Sequence, residues 1–450
     1  MLLEFRVTNY RSVCEEQILS LRPESKHKDV PTNLLVREKK YTALNCLALY
    51  GPNDSGKSNL LSAINLLDTL VSNSSKGAST DLLPYDPFML RQGWEEKPTE
   101  FEITFISNGN RYRYGVAYTA VEVTHEWLYR KGVGREVPLF EREGDTIEAK
   151  STLGALPATL AAAIESTRPN SLFLSWCDTY NIAEVKHIRQ WFYRLRSVDG
   201  LDTRFEGIST AEMLRDSALA APISAYLTSL GLQVLGVEVE LVAFNDTELP
   251  AQMPQTMRQQ LTKQLKGTTK SVVKARHRLY DAKGKPTKNS RSWEWSDRES
   301  AGARKALEIS GPVIWVLAQG GVLVIDEIEA SLHTQLTQNT INLFLNPDTN
   351  PNRAQLLFAT HDTNLLTYLK LRRDQIYFAE KNSWEGTETY ALSDFRYLPL
   401  TGADGSKATT VRPDADKEKR YLEGRYGAIP ANADFQRFVA QHTQWPTLAR

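Results

Sequence analysis

Apolar and polar residues alternate from Leu3 to Thr8, with Leu3, Phe5 and Val7 set against Glu4, Arg6 and Thr8. That period of two predicts a half-buried strand. The polar turn Asn9-Tyr10-Arg11-Ser12 follows, residues 17–21 predict a returning strand, and the polar stretch 23–42 predicts a loop. Residues 44–50 are rich in apolar side chains and predict a buried strand that stops at Gly51. Leu60, Leu61, Ile64 and Leu67 then recur at helical spacing. Residues 72–80, rich in Ser and Gly, predict a mobile loop after that helix. Alternation returns at Phe101, Ile103 and Phe105. After a turn at Asn108-Gly109-Asn110 it continues through Tyr112, Tyr114 and Val116, a hairpin pattern. Segments 121–129 and 137–142 predict further strands.

From about 153 to 230 the period becomes helical, with Leu160, Ile164, Ile188, Trp191, Phe192, Met213, Leu214, Tyr226 and Leu230 as the apolar positions. No heptad repeat is sustained there, so no long coiled coil is encoded. Segment 233–244 predicts a strand and 254–265 a short helix. Apolar runs at 321–325 and 356–359 predict two more buried strands.

The junction after the 44–50 run carries chemistry. Gly51-x-x-x-x-Gly56-Lys57-Ser58 is the phosphate-binding loop pattern, placed between a predicted strand and a predicted helix. Such a loop aims backbone N–H groups and the positive end of a helix at one point. The candidate phosphate cradle is Gly51, Pro52, Asn53, Asp54, Ser55, Gly56, Lys57, Ser58 and Asn59. Lys57 is suited to the β- and γ-phosphates of ATP, and the Ser58 hydroxyl to Mg²⁺. The second half of a nucleotide site is written at Gly321-Val-Leu-Val-Ile-Asp326-Glu327. A buried strand ending there puts Asp326 where a Walker-B aspartate holds the metal or its water. Glu327, one residue on, is the candidate general base for an attacking water. The two motifs lie far apart in the chain, so a large insertion must separate two lobes of one nucleotide-binding fold.

Composition narrows little. Of 450 residues, 41% are hydrophobic and 24% charged, ordinary values for a globular chain, and Lys plus Arg equals Asp plus Glu at 54 each. Net charge therefore decides nothing about nucleic acid, and local charge must. Arg258 to Arg291 holds eleven Lys or Arg against one acid, Asp281. This predicts either a contact with nucleic acid or an acidic partner, or a solvated helix and a hairpin turning at Lys283-Gly284-Lys285. Cys14, Cys46 and Cys177 show no metal-ligand spacing. No secretory signal and no membrane span are evident, so a cytoplasmic location is expected.

Three further motifs sharpen the class. Glu299-Ser300-Ala301-Gly302-Ala303 opens a helix-like run, with Ser300 a candidate N-cap, and resembles the signature motif of ABC-class ATPases. Ala330-Ser331-Leu332-His333 resembles their D-loop, and Leu356-Leu-Phe-Ala-Thr-His361 ends like their switch-histidine strand. Together with Phe5-Arg-Val-Thr-Asn-Tyr-Arg-Ser12, Arg372-Arg-Asp-Gln-Ile-Tyr-Phe378 and the tail Tyr421-Leu-Glu-Gly-Arg-Tyr-Gly-Ala-Ile-Pro430, these pieces resemble the OLD-like group of ABC-class AAA ATPases, short relatives of SMC and RecF proteins.

The resemblance implies an α/β fold: an ABC-type P-loop NTPase head, with a mixed-sheet lobe and a parallel core sheet flanked by helices, carrying a mainly helical insertion. It implies an N-terminal lobe over 1–150, the insertion over 151–290, a C-terminal lobe over 291–400 and a tail over 401–450. Ser300 and Gly302 would act in trans on ATP held by another subunit, making the working unit a dimer or larger oligomer. Ser331 and His333 would serve as the D-loop, His361 would contact the γ-phosphate beside the base Glu327, and Arg11 is the candidate on the adenine side. No Q-loop glutamine stands out, although Thr99 to Phe105 falls where one is expected. Members of this group are ATPase subunits of bacterial phage-defence and abortive-infection systems, usually with an effector encoded alongside, which implies a sensor or switch. The alternative is a DNA-acting repair ATPase or ATP-controlled nuclease. No nuclease site is legible: Glu380 ends a strand pattern, and Asp414 and Asp416 sit in a polar, Lys-rich stretch with no apolar strand before them.

Overall fold

The structure is a computed structural model that describes residues 1–24, 29–37, 40–199, 209–245, 249, 253–397, 409–412 and 414–429. The remaining part of the expected 401–450 tail, including Pro430, lies outside the described residues. The chain divides into two compact units, one of Met1–Tyr193 with Gln355–Arg450 and the other of Arg194–Ala354.

The first unit is built on a seven-stranded antiparallel sheet. Its Leu2–Thr8 strand runs between Gln17–Ser20 and Thr99–Ser107, and the expected 100–118 hairpin pairs Thr99–Ser107 with Asn110–Tyr118. Val123–Lys131, Val137–Glu143 and Thr146–Ala149 extend it to one edge. The alternating residues face inward: Phe5, Val7, Phe101, Ile103, Phe105 and Tyr114 are all buried, as period-two geometry requires. Against this lobe stand parallel strands, with Cys46–Tyr50 between Gln355–Ala359 and Ile376–Lys381. Thr387–Ala391 is antiparallel beyond them. Their near-continuous burial matches strands covered on both faces.

Two expected loops are ordered. Within 23–42, Leu34–Arg37 and Tyr41–Leu44 form a hairpin, and Leu35 and Ala43 pack on Met1, Leu3 and Ile106. Enough apolar surface was present there, but basic residues around it masked the alternation. Residues 72–80 are pinned: the helix Lys57–Asn73 runs on into the turn Ser74–Lys76. Ser74 Oγ meets Ser175 Oγ at 2.9 Å and accepts from Leu172 N at 3.1 Å.

The second unit pairs Leu195–Asp199 parallel to Val322–Asp326 and packs the long helix Ala301–Gln319 against helices Thr210–Met213 and Ser217–Ser229. The insertion is not helical throughout. Leu195–Asp199 is a strand inside the stretch read as helical, and Gly236–Ala243, Thr269–Tyr280 and Pro286–Glu294 form a three-stranded antiparallel sheet. The hairpin turn falls at Gly284, whose φ is 76°. The 254–265 helix is present as Gln255–Leu265. The fold class expected from the sequence, an α/β P-loop head with a mixed-sheet lobe and parallel core strands, is the one the structure has.

A buried polar knot ties the first unit together. Gln375 is fully buried. Its Nε2 donates to Asn45 Oδ1 and to the Cys46 carbonyl, both at 3.0 Å, and its Oε1 accepts from Asn33 Nδ2 at 2.6 Å and Arg372 N at 3.0 Å. Gln375→Leu keeps the volume but removes four hydrogen bonds to buried partners, and a buried polar group that finds no replacement costs about 1–3 kcal/mol. The expected outcome is a loss of roughly 3 kcal/mol or more, read as a lower denaturation midpoint in urea with the native circular dichroism retained.

Candidate nucleotide-binding site

In the first unit, the buried strand Cys46–Tyr50 delivers the chain to Gly51. A Cβ at Gly51 would lie 2.3 Å from the Ala379 carbonyl oxygen, and one at Gly56 only 2.0 Å from Thr387 Oγ1. Gly56 also holds φ at 94°, so glycine is required there on two counts. Asp54 has φ 65°. Gly56 caps the helix Lys57–Asn73 without a side-chain hydrogen bond, which leaves the first N–H groups for an anion. Lys57 Nζ donates to the carbonyls of Gly51 at 2.9 Å and Pro52 at 2.8 Å. Its ammonium therefore lies over the loop. Ser58, next in the helix, is exposed.

The loop is clamped from a distance in sequence. Thr387 Oγ1 donates to the Ser55 carbonyl at 3.0 Å and lies 2.9 Å from the Ser12 hydroxyl, and Thr387 N donates to the Ser12 carbonyl at 2.8 Å. Asn59 Nδ2 donates to the same Ser12 hydroxyl at 2.7 Å. In the N-terminal turn, then, Ser12 touches the phosphate loop. Arg11 lies farther along the helix: it ion-pairs with Asp86 at 3.0 Å, stacks on Tyr10, and places Nη1 3.4 Å from Ser62 Oγ. The Thr99–Phe105 segment is strand, with Thr99 Oγ1 donating to the Asn9 carbonyl at 2.7 Å.

A cavity of about 760 Å³ opens over the loop, lined by Gly51 to Ser55, by Thr360, His361 and Thr363, by Glu380 and Lys381, and by Tyr421, Leu422 and Ile429 of the C-terminal segment. The phosphate loop and His361 thus share one cavity. The tail segment is fixed there, since Ala428 N donates to Glu380 Oε2 at 2.8 Å and Tyr390 Oη to the Tyr426 carbonyl at 2.6 Å. Asp416 accepts from Lys419 N at 2.9 Å as a helix cap, and Asp414 pairs with Arg412 at 2.8 Å. The three acids weighed for a nuclease are thus each engaged locally. Sequence reasoning missed Thr387, for which no local pattern exists, and took the Tyr421–Pro430 stretch as part of the resemblance without placing it at the loop.

In the second unit, the strand Val322–Asp326 ends with Asp326 Oδ1 accepting from Glu327 N at 3.1 Å. Glu327 and Ser331 hold φ at 46° and 60°, conformations that non-glycine residues rarely adopt. Ser300 caps the helix Ala301–Gln319, its Oγ accepting from Ala303 N at 3.1 Å, and is itself exposed. A Cβ on Gly302 would lie 2.8 Å from the Ser331 carbonyl oxygen, so the signature and D-loop candidates pack directly together. His333 caps the helix Thr334–Leu345, with Nδ1 accepting from Gln335 N at 3.1 Å. That nitrogen is occupied by a structural bond.

The donor set fits a polyphosphate. Backbone amides lie ahead of an uncapped helix start, a lysine lies over the loop, two glycines sit where a Cβ would clash, and the buried Ser55 Oγ has no hydrogen-bond partner among the described residues. Strand, loop and helix in this order define a P-loop nucleotide-binding protein of the α/β class.

The family model described as "AAA domain, putative AbiEii toxin, Type IV TA system" matches residues 46–228 and 277–367. More than half of the chain is matched, and the chain belongs to this family. The match takes in the phosphate loop, Asp326, Glu327 and His361. A search of curated proteins finds no match. Among solved structures, the SMC head domain from Thermotoga maritima is similar at 12% identity and a TM-score of 0.39, covering 87% of this chain and 98% of that one. An SMC head bound to the C-winged helix domain of ScpA is similar at 15% identity and a TM-score of 0.36, over 87% and 97%. The recombination mediator RecF with ATP, of the RecFOR pathway, stands at 13% and 0.35, over 81% and 94%.

Thr387→Val tests the clamp. It keeps the shape and removes the hydroxyl that holds the Ser55 carbonyl, at a cost of about 1–2 kcal/mol. Expected are a modest fall in melting temperature and a smaller rise in melting temperature on adding ATP. A parental response to ATP would show that the clamp does not shape the loop.

Proposed function

We propose that this protein is an ABC-class ATPase that binds ATP with Mg²⁺ on the Gly51–Asn59 loop and hydrolyses it. The observation that carries this reading is the loop itself, with glycines at its two clashing positions and Lys57 drawn over its carbonyls. Lys57 is assigned to the β- and γ-phosphates, Ser58 and Asp326 to Mg²⁺, and His361, which lines the same cavity as the loop, to the γ-phosphate. Bound metal would neutralise the charge that develops on the transferred phosphoryl group. Glu327 accepts the proton of the attacking water as the bond to the leaving oxygen breaks. Ser300 and Gly302, at the exposed start of their helix, are assigned to ATP held by another subunit, with Ser331 beside them. Arg11 remains the candidate on the adenine side.

In the cell, the proposed role is that of a cytoplasmic ATP-driven sensor or switch in an anti-phage, abortive-infection system, controlling a separate co-encoded effector. The family description, which names a putative AbiEii toxin of a Type IV TA system, is in keeping with this direction. The second reading is a DNA-acting repair ATPase or ATP-controlled nuclease. The exposed basic hairpin at 278–291 favours a nucleic-acid or acidic-protein contact in the 258–291 region. Among the described residues no helix is long and apolar enough to cross a membrane.

Lys57→Ala is expected to abolish ATP binding or turnover, and Glu327→Gln to bind ATP without hydrolysing it. Turnover at the parental rate by Glu327→Gln would remove the base assignment. Composite sites make a separate prediction. Mixing Lys57→Ala with Ser300→Arg protein should restore part of the activity, through the one intact site in each mixed dimer. Absence of rescue in demonstrated mixed dimers would count against action in trans.

A further inference from the structure

The basic segment is not one uniform patch. Lys274 and Arg276 share a face of the Thr269–Tyr280 strand, and the neighbouring Gly236–Ala243 strand brings an acid diagonally to each. Lys274 is ion-paired with Glu240, and Arg276 with Glu238 at 3.4 Å. That row is neutralised within its own sheet. Beyond it the third strand ends, and only Thr269–Tyr280 and Pro286–Glu294 continue as a two-stranded ribbon around the Gly284 turn. Every residue from Arg278 to Arg291 is exposed except Thr287, which is half-buried.

Arg278, Lys283, Lys285, Lys288 and Arg291 lie in this ribbon, and none makes an ion pair among the described residues. The one acid, Asp281, is spent on the turn: its Oδ1 accepts from Lys283 N at 2.9 Å and Lys285 N at 2.8 Å. The cations lie on both faces. Arg278 falls on the Lys274 and Arg276 face by period-two alternation, whereas Arg291 is paired with His277 on the opposite face. A flat acidic protein surface would meet only one face of such a ribbon. A groove walled by phosphates on both sides meets both, and the major groove of B-form DNA, about 12 Å wide, admits a two-stranded ribbon. Asn289 and Ser290 between the cations supply short polar side chains suited to phosphates and base edges.

The base of the ribbon is tied to the signature motif. Glu299 Oε1 accepts from His277 Nε2 on one strand and from Trp293 Nε1 on the other, both at 2.8 Å. The two rings stack at 4.2 Å with planes 13° apart. Glu299 immediately precedes Ser300, the cap of the signature helix. One carboxylate therefore gathers both strands of the ribbon at the residue before that helix cap.

We propose that the 278–291 ribbon binds duplex DNA in its major groove, and that Glu299 couples this engagement to Ser300 and thereby to ATP turnover. The binding half stands on the ribbon alone. The coupling half rests on the ATPase reading above.

The test uses full-length protein and a short fluorescent duplex DNA, without nucleotide, titrated between about 50 and 200 mM salt. Parental protein should bind with a steep salt dependence. Lys283→Ala/Lys285→Ala/Lys288→Ala/Arg291→Ala should lower the log–log slope by about 3–4 units and weaken binding at least about tenfold at low salt. Lys274→Ala/Arg276→Ala, whose cations already face Glu240 and Glu238, should change affinity by less than about threefold. The binding half is overturned if the fourfold variant binds as the parent does. It is also overturned if the parent does not bind, or if it binds polyglutamate or duplex RNA, whose major groove is too narrow to enter, as tightly as DNA.

For the coupling half, duplex DNA should stimulate parental ATP turnover. Glu299→Ala should lose that stimulation while retaining DNA binding, and Glu299→Gln, which keeps an acceptor oxygen, should retain the stimulation. No stimulation of a hydrolytically active parent, or stimulation unaffected by Glu299→Ala, overturns the coupling. A parent without ATPase activity would instead fail the reading on which the coupling rests, and would leave the binding result standing.

Discussion

The first unit depends on two places where backbone meets its neighbours with no room for a side chain. At Gly51 the Ala379 carbonyl lies where a Cβ would sit, and at Gly56 the Thr387 hydroxyl does. Both neighbours belong to the strand pair Ile376–Lys381 and Thr387–Ala391, which follows the loop by more than three hundred residues in sequence. The phosphate loop is therefore shaped from outside as much as by its own glycines. Close seating lets one hydroxyl, that of Thr387, hold both the loop at Ser55 and the N-terminal turn at Ser12. It also explains the investment beneath: Gln375, one residue before that strand, fixes the start of the Cys46–Tyr50 strand through Asn45 and Cys46. A small error in strand register there would displace the loop directly.

What could be read from sequence was whatever repeats locally. The alternation around Phe101–Val116, the apolar strand before Gly51, the Ser300 cap and the turn at Gly284 all carry their physics within a few residues, and all appear in the structure. What could not be read was pairing across distance. The Ser-rich stretch after the phosphate-loop helix looks like a loop until Ser175 and Leu172 supply partners for Ser74. The 34–44 hairpin buries only a few side chains on Met1 and Leu3, too few to impose a period on its basic surroundings. The Leu195–Asp199 strand is a short run beside helical segments, and its parallel partner Val322–Asp326 lies far along the chain.

Charge shows the same division between local and distant information. The sequence displays eleven cations against one acid between 258 and 291, and that count treats them as equivalent. Antiparallel register separates them. The strand Gly236–Ala243 places Glu238 and Glu240 beside Lys274 and Arg276, and the diagonal pairs Lys274–Glu240 and Arg276–Glu238 offset these four charges at the root of the sheet. Exposed pairs of this kind contribute about 0–1 kcal/mol each, so their larger effect is on the shape of the field: they offset the positive charge of Lys274 and Arg276 and leave that of the ribbon beyond them standing.

The second unit concentrates strain where chemistry is assigned. Glu327 and Ser331, neither a glycine, both sit at positive φ within one turn after the Val322–Asp326 strand. Each such residue costs of the order of 1 kcal/mol, and it persists only if its surroundings hold it. Part of that hold is visible: the Ser331 carbonyl lies against Gly302, where any larger residue would clash at 2.8 Å. The same helix start carries Ser300, whose preceding residue, Glu299, gathers the ribbon. Ribbon, signature helix and the turn bearing Glu327 are thus linked by direct contacts inside one compact unit. A Cβ at Gly302 would meet the Ser331 carbonyl oxygen at 2.8 Å, so glycine is what allows the helix start to seat this closely on the turn.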